Sequence, residues 1–134
     1  MAGAYHSVFT ALGTRDPNTR LFTAGNLAGN LTSTTTQTIG MCPMASVTCT
    51  VETGTPSGSF FVDVTDDPRA EDPNGGLGTP QWVTLQQITF TSGLNNGNSA
   101  AHVTWANGAK YARVRWVQTG GTGTGFAFLT GVST

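Results

Sequence analysis

Between Asp63 and Gly76 the chain reads DVTDDPRAEDPNGG, and its carboxylates Asp66, Asp67, Glu71 and Asp72 have the most evident capacity for chemistry. Carboxylate oxygens are hard ligands, and Ca²⁺ collects about 6 to 8 oxygens at once. The spacing departs from the EF-hand, whose acidic ligands alternate ahead of an invariant glycine. Two prolines and an arginine interrupt it. A solvated turn in which Asp66 and Asp67 accept backbone N–H bonds accounts for the same residues more simply. The four carboxylates therefore stand only as candidate Ca²⁺ ligands, and no cofactor is expected.

Other reactive side chains are few. The only histidines are His6 and His102, and neither sits in a nucleophile motif such as Gly-x-Ser-x-Gly. Cys42, Cys49 and the histidines follow no zinc-finger spacing. Two small buried thiols describe the cysteines better than a disulfide. The run TGGTGTG at 119–125 lacks the lysine and the helix of a phosphate loop, since Phe-Ala-Phe-Leu follows it. An enzyme is not expected.

Tyr111, Arg113 and Arg115 recur at every second position and form a stripe on one strand face. Arginine beside an aromatic ring suits contact with a protein or a sugar. The same stripe could instead cover a solvent face and pair with Asp63 or Glu52 across the strands, and this simpler account is favoured. Trp82, Trp105 and Trp116 could stack on sugar rings, but in a small β domain tryptophan is more often a core anchor.

The elements that must position these residues are strands. A chain of 134 residues is about one domain. Charged residues make up 10 %, glycine and threonine are abundant, and no long stretch favours helix. A net charge of −1 gives no field to attract nucleic acid or an anionic membrane, so the expected partners are proteins or neutral ligands. No apolar stretch is long enough to span a bilayer, and MAGAYHSVFTALG has neither the basic nor the apolar region of an export signal.

Alternation predicts a strand from Met44, with Ala45, Val47, Cys49 and Val51 facing a core. Gly-Thr-Pro-Ser-Gly at 54–58 then leads into Phe60, Val62 and Val64, and the two runs read as a hairpin. Residues 66–80 form a loop, and alternation resumes from Trp82 to Phe90, blurring near Gln86 and Gln87 as at a bulge or a sheet edge. Ala101, Val103 and Trp105 line a further strand. The stretch 109–131 reads as a closing hairpin, with Val114, Trp116, Phe126 and Phe128 in the core. The fold class expected is all-β, an antiparallel β-sandwich or jelly roll of about 7 to 8 strands with an extended N-terminal segment. Residues 44–134 form the sandwich. From Ala4 to Leu12 alternation suggests a strand or an extended arm, residues 13–43 are weakly patterned, and residues 1–43 together are expected to make intermolecular contacts as an N-terminal arm and irregular segment.

Three pieces carry a family resemblance: Phe60, Val62, Asp63 and Val64 ending in Asp66-Asp67; Trp82-Val83-Thr84-Leu85; and Tyr111-Ala112-Arg113-Val114-Arg115 followed by Thr122-Gly123-Thr124. Over residues 44 to 131 the chain resembles β-sandwich virion proteins of tailed bacteriophages, and in size their capsid decoration or cement proteins. Discoidin-like carbohydrate-binding domains share the rhythm but usually carry paired, widely separated cysteines. The resemblance implies a protein made in the host cytoplasm and placed on the virion capsid surface. Its implied partners are the major capsid protein and sister subunits, in a homo-oligomer with a trimer favoured. The contact residues it suggests are Tyr5, Phe9, Arg15, Arg20, Phe22, Tyr111, Arg113 and Arg115. The alternatives are a carbohydrate- or receptor-binding module of a phage fibre and a tail or neck connector.

Overall fold

The computed structural model describes residues 4–12, 14–15, 22–32, 37–40, 42–72 and 75–133. In chain order the strands are β1 (Ala4–Leu12), β2 (Thr14–Arg15), β3 (Phe22–Thr23), β4 (Gly25–Asn26), β5 (Leu31–Thr32), β6 (Gln37–Thr38), β7 (Met44–Gly54), β8 (Ser57–Thr65), β9 (Val83–Phe90), β10 (Ala100–Ala106), β11 (Tyr111–Gly120) and β12 (Gly123–Ser133). A 3₁₀ turn at Pro68–Glu71 lies between β8 and β9. The chain is nearly all β, as its alternation and composition predict.

Two antiparallel sheets form a sandwich. The first runs β1-β12-β7-β10, with β4 also on β12; the second runs β5-β11-β8-β9, with β6 also on β11. β2 and β3 make a separate two-stranded ribbon. Both sheets supply the core: Val47, Cys49, Val51 and Leu129 from the first, and Phe60, Val62, Val114 and Trp116 from the second. The Phe60 ring sits 4.7 Å from Trp116 and 5.6 Å from Phe90 between centroids, inside the range where aromatic pairs attract.

Two expected hairpins are arches instead. β7 and β8 lie in different sheets, as do β11 and β12, so each short turn carries the chain across the core rather than back along one sheet. Alternation gives a strand its inner face but does not name its hydrogen-bonding partner, so both connections satisfy the same pattern. The arch also corrects the core assignment on β12. Ala127 and Leu129 are fully buried, while Phe126 and Phe128 are half-buried on the opposite face with ring centroids 5.0 Å apart. On β9, Gln86 pairs with Val62 and Thr84 with Asp63, which leaves Leu85 as the extra residue of a bulge on an edge strand.

The segment expected to act as an arm contributes to this chain's own fold. β1 pairs along β12 from Ala4↔Ser133 to Leu12↔Ala127. Leu27 and Ile39 are fully buried in the shared core, and the Trp116 indole N–H donates to the Leu27 carbonyl at 3.1 Å. Removing residues 1–43 would therefore strip β1, β4, β5 and β6 and the core side chains Leu27 and Ile39 from the sandwich. The close approach of the Thr50 carbonyl and of Leu27 together explains Gly125, where an added Cβ would run into the Thr50 carbonyl oxygen and stand 2.6 Å from Leu27 Cδ1.

Chemical denaturation tests this packing. Gly125→Ala should lower stability by about 1–3 kcal/mol through overpacking, and Trp116→Phe by about 1–3 kcal/mol because the Leu27 carbonyl loses its donor. Gly29→Ala, where nothing lies within 4 Å of the new Cβ, should stay within about 0.5 kcal/mol of the parent. Equal midpoints for Gly125→Ala and Gly29→Ala would contradict the close approach of Leu27.

Candidate functional site

The outer face of the second sheet gathers the arginine stripe and the acidic loop. Asp63 points outward from β8, yet it is only 1 % exposed, because the register sets it opposite Arg113 and a cross-strand step from Arg115. Its Oδ2 accepts from Arg113 Nε at 2.9 Å and from Arg115 Nε at 2.7 Å, and its Oδ1 accepts from the Thr84 hydroxyl at 2.9 Å. Arg115 Nη2 donates on to Thr84 at 3.1 Å. Burial by itself raises the Asp63 carboxyl, but hydrogen bonds from Arg115, Arg113 and Thr84 outweigh it and hold the group below its usual value.

The guanidiniums also cover aromatic rings. Arg113 lies 4.5 Å from the Trp82 centroid and Arg115 lies 4.3 Å from that of Phe61. Those ring faces, which could otherwise stack on a sugar, carry cations supplied by the same chain. The stripe thus pairs with Asp63 and not with Glu52. Tyr111, its third member, is 1 % exposed, and its hydroxyl donates to Glu71.

The acidic loop folds down beside this network, and each candidate Ca²⁺ ligand turns to a different donor. Asp66 accepts from the Lys110 backbone N–H at 2.8 Å. Asp67 caps the 3₁₀ turn, binds Arg69 through Nε and Nη2 and accepts from the Gln81 N–H; the Arg69 bonds, then those backbone bonds, hold its carboxyl well below the ordinary range. Glu71, lowered chiefly by the Tyr111 hydroxyl, also lies 3.6 Å from Lys110 Nζ in an exposed pair. Asp72 accepts from the Leu77 N–H at 3.0 Å. Among the described residues, no three or more His, Cys, Asp or Glu side chains converge to hold a metal ion.

The remaining candidates are dispersed. Cys42 and Cys49 are both free and buried, and burial pushes the Cys49 thiol up to about 12, which keeps it protonated and unreactive. His102 Nδ1 meets the Thr48 hydroxyl at 2.8 Å on the outer face of the first sheet. Trp105 and Trp116 are core residues, whereas Trp82 is half-buried under Arg113. Tyr5 and Phe9 fall on β1, Arg15 on β2 and Phe22 on β3, and Arg20 lies outside the described residues. No described helix is long and apolar enough to cross a membrane.

A second surface follows from the distribution of charge. Residues 73–109 contain no Asp, Glu, Lys or Arg, and this run supplies both β9 and β10. Each of those strands has one partner among the described residues and ends its sheet, and the arches align the two edges on one side of the sandwich. Four exposed large apolar residues, Leu77, Val83, Leu85 and Leu94, belong to the same run. A fifth, Met44, pairs with Ala106 on β10. Edge strands are ordinarily guarded by charges or proline. On β9 the described features at the edge are the bulge at Leu85 and the Asn95 side-chain amide on the Thr89 carbonyl. The uncharged run was visible in the sequence, but alternation drew attention to strand faces and away from edges.

Comparison with protein-family profiles, curated proteins and solved structures finds no match to this chain.

The Asp63 network makes an asymmetric prediction. Asp63→Asn leaves two arginines, each with more than a quarter of its side chain exposed and able to hydrate, and should cost about 1–3 kcal/mol. Replacing Arg113 and Arg115 together with Met leaves a buried carboxylate without a counterion and should cost about 3–5 kcal/mol. The folded Asp63 titrates below its unfolded value of about 3.9, so its contribution is complete above that pH and fades as pH falls through the lower folded value. Acid titrations of stability should accordingly be shallower for Asp63→Asn. A parent and variant with parallel acid limbs would rule out the network as a source of stability.

Proposed function

We propose that this chain is a structural, non-enzymatic virion protein that attaches to the outside of a phage capsid and bridges capsid subunits, a decoration or cement protein. Its partners in this reading are the major capsid protein and sister copies of the chain, and its place is the capsid surface. The observation that carries the reading is the uncharged side of the sandwich, with its two open strand edges and exposed Leu77, Val83, Leu85 and Leu94. Exposed large apolar side chains beside open strand edges suit a protein contact. The phage-like sequence pattern of residues 44 to 131 supplies the kind of assembly.

The physical mechanism is mass action. A protein that binds neighbouring subunits only when they are assembled lowers the free energy of the lattice by its binding free energy, and dissociation must first release it. A rigid sandwich suits this task, because little ordering entropy is lost on binding. Contacts that bury apolar area without ion pairs also withstand changes in salt.

Addition of the purified chain to particles lacking it tests the proposal. Saturable co-sedimentation and a higher temperature of capsid disruption are expected, with affinity changing less than about threefold between 50 mM and 500 mM salt. Leu94→Glu should weaken binding at least tenfold while leaving the fold intact. Absence of the chain from sedimented particles would overturn the assignment.

A further inference from the structure

We infer that the uncharged side pairs with a second copy of the same chain about a two-fold axis normal to the sheets, joining β9 to β9 and β10 to β10 of the partner. This deepens the reading of that side as an interface and rests on it. Three observations on this side select a second copy as the occupant.

The first is the presence of two edges. β9 ends one sheet and β10 ends the other, and stacked sheets stand about 10 Å apart. A single extended peptide can add to one edge only. A second copy presents both edges at the matching separation, and a two-fold normal to the sheets sets each pair antiparallel in one operation. A three-fold arrangement would instead make this side meet a different surface. On the far side of the sandwich, β12 is flanked by β1 and β4 and β11 by β5 and β6.

The second observation is charge. Like charges placed opposite one another across a two-fold are destabilising, and residues 73–109 bring none. The thirteen Lys, Arg, Asp and Glu residues all lie elsewhere in the chain. The third is area. Strands of eight and seven residues at roughly 3.3 Å per residue give edges about 25 Å long. With pairing on β9 confined to its five regular residues, the two edges and their flanking side chains cover roughly 400 Å² per partner, or about 800 Å² in total, the size of a weak, concentration-dependent contact. The bulge leaves Gln86 to Phe90 as the regular part of β9, where the Thr89 carbonyl accepts from the Asn95 side-chain amide at 2.9 Å, a bond that pairing would have to replace.

Light scattering and sedimentation of the full chain from about 1 to 100 μM test the inference, a range that brackets dissociation constants of about the same span. The parent is expected at twice its 13.9 kDa chain mass at the upper end. Gln87→Lys with Thr104→Lys places a charge at an exposed position on each edge and should raise the dissociation constant at least tenfold; Gln87→Ser with Thr104→Ser should leave it within about threefold. Far-ultraviolet circular dichroism and denaturant midpoints confirm that both variants fold. A parent that is trimeric, or a lysine variant that dimerises as the parent does, overturns the two-fold pairing. A monomeric parent also overturns it, and particle binding then separates the two readings. Loss of particle binding by the lysine variant keeps this side as a capsid contact. Unchanged binding removes this side as the capsid contact as well and leaves attachment to another surface.

Discussion

Trp116 is the side chain on which the rest of the sandwich depends. It sits on the central strand of one sheet, packs its ring on Phe60, and donates its indole N–H to the carbonyl of Leu27. One residue therefore joins the packing on the inner face of the second sheet to the placement of the segment before β5. The hydrogen bond matters because a buried carbonyl without a donor is costly, whereas the ring contact alone would tolerate other partners. The glycine at 125, with no Cβ, leaves the space that Leu27 occupies.

The outer face of the second sheet is held by a different force. Asp63 is buried among two guanidiniums and a hydroxyl, and its desolvation is offset only because all three donate to it. Trp82 and Phe61 cover the other side of the same cations. The residue types that looked most reactive in the sequence are thus consumed in mutual satisfaction. This accounts for the loop as well, since Asp66, Asp67, Glu71 and Asp72 each close a local backbone or side-chain contact.

Function then has to be sought where groups remain to be covered. The two sheet edges formed by β9 and β10 have no described neighbour strand on their outer sides, and the run 73–109 that supplies them contains no Asp, Glu, Lys or Arg. A surface that neither repels its own kind nor selects a charged partner is suited to permanent assembly, in keeping with a structural role on a particle. The outer face of the second sheet, with its paired charges, would remain toward solvent.

Alternation and composition alone determined the fold class and the inner faces of β7, β8, β10 and β11, because burying one side of a strand imposes a period of two whatever its neighbour is. Pairing of the arginine stripe with Asp63 was also within reach, since opposite charges on adjacent strands attract. Only the tertiary structure decided that the turns at 54–57 and 120–123 are arches, that Phe126 and Phe128 face away from the core, and that Leu27 and Ile39 belong inside it. Those choices depend on which strands hydrogen-bond across long separations. Local periodicity is identical for a hairpin and for an arch, and short segments such as β4, β5 and β6 carry too few residues to show a period at all.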